Sequence, residues 1–326
     1  MQNHIGTAIT VLGFILAGLA STLTSAQTNR IDSSILQTSE ADDFWLSKTI
    51  QLEESKDYHR MLAHTMRWTK VQPNSLDAWY NLGVAYSRIY KHVEAVDAFR
   101  QATRINSNSD IAWYNLGVNY SALKLHPQAI EAFEEAVRVN SEFASAWYNL
   151  GRIYSLTQQH SRSINTNKQA IRINPDYVKA WGNLGAAYIG TNQYELAKSA
   201  LQKALKIDPK YSEAWVSMGA ANNGMKQYEQ AIRDSEKALA INSQYAEAWN
   251  NMGIAYKNMR QYSQAINAYH QALRINSEYT PAWSNLGIAH YHIGNQVKVL
   301  EIYKKLKALD AAMAEKYFKT FILPKD

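Results

Sequence analysis

The chain contains no cysteine among its 326 residues. That excludes disulfide staples, thiolate nucleophiles and cysteine-ligated zinc. Proline is scarce too, with six in all, so long stretches can run as uninterrupted helix. The net charge of +6 is modest and spread along the chain. No basic stripe interleaved with aromatics appears, so nucleic acid is not expected as a partner. The densest basic stretch, Lys298, Lys304, Lys305, Lys307, Lys316 and Lys319, is interrupted by Glu301, Asp310 and Glu315. It reads as a solvated helix face.

Charge is missing altogether from the first 29 side chains, Arg30 being the first. An apolar run from Ala8 to Ala20 leads into small residues ending at Thr24-Ser25-Ala26. This is the shape of a secretory signal peptide over residues 1–26. The alternative is an uncleaved anchor, since Ile5 to Leu23 is long enough to span a bilayer. In that case alone the chain would meet a membrane. Either reading sends the remainder out of the cytoplasm, to the periplasm or beyond. Residues 27–41 are rich in Ser, Thr, Asn and Gln without apolar periodicity and read as a linker.

What the chain does have is a ruler. Trp79, Trp113, Trp147, Trp181, Trp215, Trp249 and Trp283 stand 34 residues apart. A fixed period of this length means stacked repeats, each one supersecondary unit that buries its apolar face on its neighbours. Within a unit Trp79, Leu82 and Tyr86 share one helical face, and Ala95, Phe99 and Ala102 mark a face of a second helix after a break near Lys91-His92. Pro175 and Pro209 close two of the units as helix stops. Gly83, Gly117, Gly151, Gly185, Gly219, Gly253 and Gly287 recur without exception. Mid-helix glycine costs about 1 kcal/mol against alanine, so a close approach must compensate. The large Trp and Tyr, needing a neighbouring backbone pressed near, are the expected cause.

Trp, then Leu-Gly, Tyr, Ala, a bulky residue, Ala and Pro in a 34-residue unit resembles the tetratricopeptide repeat. The resemblance covers seven units, 76–109, 110–143, 144–177, 178–211, 212–245, 246–279 and 280–313. Residues 42–75 keep Trp45 and Pro73 in register but carry Lys48 and Thr49 in place of Leu-Gly. They read as a degenerate eighth repeat capping the N-terminal side. Residues 312–326 begin with an amphipathic segment, Ala312 to Phe321, and read as a C-terminal cap. The resemblance implies an all-α superhelical solenoid of antiparallel helix pairs, whose first helices line the concave side.

Histidine supplies no metal site. His92, His126 and His160 occupy one repeat position that later holds Tyr194, Tyr228 and Tyr262, which marks a packing position in a turn. No phosphate-cradling glycine loop and no Ser-His-Asp arrangement stands out. An enzyme, a metal and a cofactor are therefore not expected.

The informative polar feature is a second ladder: Asn81, Asn115, Asn149, Asn183, Asn251 and Asn285 each follow a Trp by two residues, with Ser217 the one departure. The resemblance puts these on the inner wall. A similar ladder in the repeat domain of O-linked N-acetylglucosamine transferase grips the backbone of an extended polypeptide; the resemblance extends to the repeat helices and not to that enzyme's catalytic domain. An asparagine amide both donates and accepts, so it can bond a peptide unit without reading its side chain. The other reading is that each Asn bonds the neighbouring repeat. Tyr80, Tyr114 and Tyr148 directly follow the Trp in three repeats, where Gly182, Val216, Asn250 and Ser284 follow it later. If that position faces inward, an aromatic wall gives way to an open polar one; ordinary repeat packing is the alternative. Paired lysines suited to clamping a C-terminal carboxylate are not evident.

The expected function is a scaffold that holds an extended peptide or a helix of a protein partner, in a bacterial envelope assembly or secretion complex. A self-assembling structural solenoid, with copies stacking end to end, is one rival. A non-catalytic adaptor subunit of an envelope enzyme is another.

Overall fold

A computed structural model describes residues 43–321. The expected signal or anchor, the linker and the last five residues of the chain lie outside the described residues. Every regular element among the described residues is an α-helix. The chain divides after Ser107 into two compact units.

The first unit holds α1 (43–54), α2 (Tyr58–Val71), α3 (Leu76–Arg88) and α4 (His92–Ile105). Trp45 of α1 stacks on Trp68 of α2, ring centroids 6.2 Å apart and planes within 9°. Leu52, Met61 and Ala85 form a small core. Arg88 reaches back to Glu53 at 2.5 Å, an exposed ion pair tying α3 to α1. Thr49, standing where full repeats have glycine, is buried and bonds the Trp45 carbonyl in its own helix.

The second unit holds α5 (Asp110–Ala122), α6 (His126–Val139), α7 (Ala144–Leu156), α8 (His160–Ile173), α9 (Val178–Gly190) and α10 (Tyr194–Ile207). It continues with α11 (Ser212–Gly224), α12 (Tyr228–Ile241), α13 (Ala246–Asn258), α14 (Tyr262–Ile275), α15 (Thr280–His292), α16 (Gln296–Leu309) and α17 (Ala311–Phe321). Each first helix packs against its own second helix, and each second helix against the next first helix. First helices of neighbouring pairs also touch, α5 on α7, α7 on α9, α9 on α11, α11 on α13 and α13 on α15. Consecutive second helices show no comparable contact. The first helices therefore form the tighter layer of this unit. At its far end α17 packs on α16 and α15, burying Ala314.

The turn inside each pair has a physical signature that the residue types conceal. Lys56, Tyr90, Lys124, Gln158, Asn192, Lys226 and Arg260 all hold φ between 57° and 63°. They recur every 34 residues, and glycine fills the position once, at Gly294 with φ 75°. This left-handed residue reverses the chain between the two helices.

The recurrent glycines answer to a different neighbour from the one expected. A Cβ on Gly83 would lie 2.8 Å from the Phe99 ring, and one on Gly117 2.8 Å from Phe133. At Gly185 it would meet Leu201 at 2.5 Å, and at Gly253 it would overlap the Tyr269 ring. The approach is therefore by a side chain of the partner helix, 16 residues on, and not by backbone pressed against Trp or Tyr. Alanines Ala95, Ala129, Ala197, Ala231 and Ala265 near the start of the second helices are all buried, which lets the two helices close on that ring.

Candidate functional site

In the first unit Tyr80 lies edge-on to Phe99, centroids 5.8 Å apart. Asn81 is only 9% exposed, and its amide donates to the Asp77 carbonyl one turn back at 2.8 Å.

In the second unit, the layer of first helices carries an aromatic row. Tyr114 packs on Phe133 at 5.9 Å and on Phe143 at 4.9 Å; Tyr148 packs on Tyr177 at 5.1 Å. A Cβ on Gly182 would lie 2.5 Å from the Tyr211 ring. The rule is common to all three: the residue after each Trp is covered by the residue at the N-cap of the next first helix. Those N-caps are Phe143, Tyr177, Tyr211, Tyr245 and Tyr279. The expectation of an open polar wall in the later repeats is thus corrected. Gly182 is buried because Tyr211 covers it, and aromatic rings continue through Tyr245 and Tyr279. Phe143 and this tyrosine row are what the sequence reading missed, although Tyr177, Tyr211, Tyr245 and Tyr279 keep the 34-residue spacing.

Burial sets the electrostatics of the row. It raises the phenols of Tyr114, Tyr148, Tyr177 and Tyr245 above the ordinary tyrosine range, Tyr279 to about 12, and Tyr211 further still. All remain protonated at neutral pH, and the Tyr114 and Tyr245 hydroxyls accept from Asn149 Nδ2 and Ser212 Oγ. Arg152 bonds Ser121 Oγ at 2.9 Å and lies near enough to Tyr114 and Tyr148 to oppose that rise. Glu213 reinforces it at Tyr148, Tyr211 and Tyr245.

The asparagines share a donor habit. Asn115 donates to Ile111 O at 2.9 Å. Asn149 uses its amide nitrogen twice, to Ser145 O at 2.9 Å and to the Tyr114 hydroxyl of the preceding repeat at 3.2 Å. Asn183 donates to Asn167 Oδ1, Asn251 to the Val216 carbonyl and Asn285 to Asn250 Oδ1, in each case on the preceding repeat. Asn251, 8% exposed, is sunk in the stack like Asn81, whereas Asn115, Asn149, Asn183 and Asn285 are half-buried. The amide side of these rungs is tied into the fold. For Asn149, both amide hydrogens have partners, and the capacity that remains is the Oδ1 acceptor.

The tryptophans serve the scaffold. Their indole nitrogens donate to the carbonyl six residues earlier, Trp79 to Pro73, Trp147 to Ser141, Trp181 to Pro175, Trp215 to Pro209 and Trp283 to Ser277. His160 lies over the end of the next first helix, where a Cβ on Gly190 would sit 2.6 Å from its ring. Its Nδ1 is buried without a partner, as is that of His126. Among the described residues no three potential metal ligands cluster, and no helix is long and apolar enough to cross a membrane.

Family models described as tetratricopeptide repeat match residues 76–109, 114–178, 178–211 and 246–279, and one described as TPR repeat matches 225–259. Together they cover more than half of the chain. The chain belongs to the tetratricopeptide repeat family. Its repeats make it a protein-interaction scaffold by class, on a fold that is typically non-catalytic. No curated protein matches the sequence. Among solved structures, the APC/C hetero-tetramer Cut9-Hcn1 aligns with TM-score 0.63 at 18% identity, over 89% of this chain and 58% of that one. This chain thus spans little more than half the length of that relative, and the likeness is one of fold alone. MamA aligns at 24% identity over 51% of this chain and 96% of its own, TM-score 0.48. YrrB, described as a TPR protein with an unusual peptide-binding site, aligns at 20% over 57% and 96%, TM-score 0.46.

Proposed function

We propose that the layer of first helices in the second unit holds an extended peptide segment of a partner protein. The observation that carries this reading is the juxtaposition of two rows, aromatic rings from Tyr114 to Tyr279 and asparagines whose amide hydrogens are turned into the stack. Tyrosine offers large rigid contact area at low entropy cost, which is why it anchors interfaces. The Asn149 Oδ1 beside it accepts from a peptide N–H. A peptide so held is gripped by its backbone and selected by what packs on the rings. Arg152 and Glu213 set charge of opposite sign along the same layer. Each hydrogen bond contributes about 1 kcal/mol net, so several rungs must engage together.

The uncharged N-terminal stretch supports export, and the setting we infer is the bacterial cell envelope, within an assembly or secretion complex. The test compares cross-linked capture of the partner by the full chain and by a Tyr148→Ala/Arg152→Ala variant, with melting recorded for both. Loss of capture at a temperature where the variant remains fully helical supports the reading. Capture equal to wild type moves the binding surface off this layer. An oligomer that grows with concentration and needs no partner would favour the self-stacking solenoid instead.

A further inference from the structure

The repeat at 212–245 breaks its own pattern at three buried positions. Tyr86, Tyr120, Tyr154, Tyr188 and Tyr256 stand where it has Asn222; Ala98, Ala132, Ala200 and Ala268 stand where it has Asp234. Ser235 stands where most other repeats have a bulky apolar or aromatic residue, Phe99, Phe133, Leu201 or Tyr269, Asn167 being the other exception. Asp234 is 1% exposed. Burying a carboxylate at an alanine position is costly unless it is fully bonded, and here it is. Asn222 Nδ2 donates to one oxygen at 2.8 Å; Gln230 Nε2 donates to the other at 2.9 Å, with Lys237 Nζ 3.3 Å from it.

The consequence lies on the side of the second helices. A cleft of about 750 Å³ opens between α10 and α12, floored by Trp215 and Met218. The equivalent cleft two repeats earlier measures about 460 Å³ and is lined by Tyr154, the counterpart of Asn222. The wider cleft has Lys198 and Lys206 on one wall, Arg233 and Lys237 on the other. Asp234 holds Lys237, whose ammonium sits 4.1 Å above the Trp215 ring. Gln230 donates to Asp234 and accepts from Arg233 at 2.7 Å, so the buried acid arranges both cations of that wall. Glu229 is the one other acid in the lining.

We propose that this cleft is a second binding site, separate from the first-helix layer, for an acidic extended peptide segment. Lys198 and Lys206 are two helical turns apart, about 12 Å along α10, and Arg233 and Lys237 one turn apart. That spread is too long for a single phosphate group. It suits two carboxylates four residues apart on one face of an extended chain, about 13 Å apart, with an apolar residue midway between them on the same face against Trp215.

The test is fluorescence anisotropy of the full chain with a labelled Asp-Glu-Leu-Glu-Asp peptide at physiological salt. An Asn-Gln-Leu-Gln-Asn peptide and inorganic phosphate serve as comparisons. Saturable binding of the acidic peptide is expected, and none of the amide peptide. Lys206→Glu/Arg233→Glu, both exposed positions, should weaken it roughly tenfold or more, with circular dichroism unchanged. Asn222→Tyr, which restores the residue of the other repeats, should weaken it too. An Arg138→Glu/Arg274→Glu reversal, at exposed positions outside the cleft lining, should leave affinity near wild type. No saturable binding would overturn the proposal, as would equal loss in the distant reversal. Displacement by low millimolar phosphate would overturn it in favour of a point-anion site.

Discussion

Gly253 and Gly219 occupy the same place in neighbouring repeats, yet their replacement by alanine should differ. A methyl on Gly253 overlaps the buried Tyr269 ring, which has nowhere to go. Overpacking of this kind costs about 1–3 kcal/mol, more than the helix propensity gained. At Gly219 the methyl would meet Ser235 Oγ at 2.6 Å, a small group that can rotate by giving up its bond to the Ala231 carbonyl, and that carbonyl oxygen at 3.3 Å. Thermal melting should therefore drop more for Gly253→Ala than for Gly219→Ala. Similar drops in both would place the constraint in the backbone instead. His290 sets a pH dependence. Burial, then His270 and Lys298, hold its pKa below the ordinary histidine value, with Glu301 opposing. The folded state therefore disfavours the proton. Its stabilising contribution is complete above the unfolded pKa, about 6.5, and is lost as pH falls through that value toward the folded pKa. Melting should fall between pH 7.5 and 5, and His290→Tyr, the residue of most repeats, should flatten that fall. An unchanged slope in the variant would assign the effect to other groups.

At the scale of the element, the turn inside each helix pair holds a non-glycine residue in left-handed conformation, which costs about 1–2 kcal/mol for most side chains. Lys226→Gly should raise stability by about 1 kcal/mol, after allowance for the greater unfolded freedom of glycine. Denaturant midpoints would show it, and no gain would mean that the Lys226 side chain contributes packing of its own. The N-caps tell a related story. Ser75 and Ser109 bond the helix start with their side chains, whereas Phe143, Tyr177, Tyr211, Tyr245 and Tyr279 make no such bond. A serine cap is worth about 1 kcal/mol, and the later repeats forgo it for ring packing. The tryptophan ruler made the helix pairs legible, because half-burying an indole every 34 residues, with its N–H bonded back to the preceding turn, leaves little freedom. The turns were hidden, since Lys, Gln and Arg at positive φ give no glycine signal. The aromatic row was visible as a period, but its role depends on which first helix it covers, a contact between repeats that spacing within one repeat does not reveal. For the same reason Gly83 pointed to a close approach without naming Phe99.

Over the whole molecule, stability is a sum of repeats and the interfaces between them, so polar cores mark weak joints. In the repeat at 144–177, Asn167 replaces the usual ring and bonds Ser163 O at 2.8 Å, while Ser155 and Ser163 share a hydrogen bond at 2.8 Å. The repeat at 212–245 has its own seam at Asn222, Asp234 and Ser235. Apolar burial contributes less in both. Hydrogen exchange should be faster in α8 and α12 than in α6 and α14, and uniform protection would contradict unequal joints. Asn167 and Asp234 depart from the 34-residue period, but a period read on Trp, Gly and Asn did not bring them out. What they build, a soft joint in one repeat and a widened basic cleft in the other, required the neighbouring helices to be in place.

The most direct test of the scaffold reading is photocross-linking from single positions of the full chain in its native cells. A photoreactive residue at Tyr148, on the first-helix layer, is compared with one at the exposed Gln128 on a second helix. A partner segment joined at Tyr148 and absent at Gln128, mapped by mass spectrometry to an extended stretch of that partner, is the expected result. The same partner joined equally from both positions, or from Gln128 alone, would contradict binding on the tyrosine and asparagine layer.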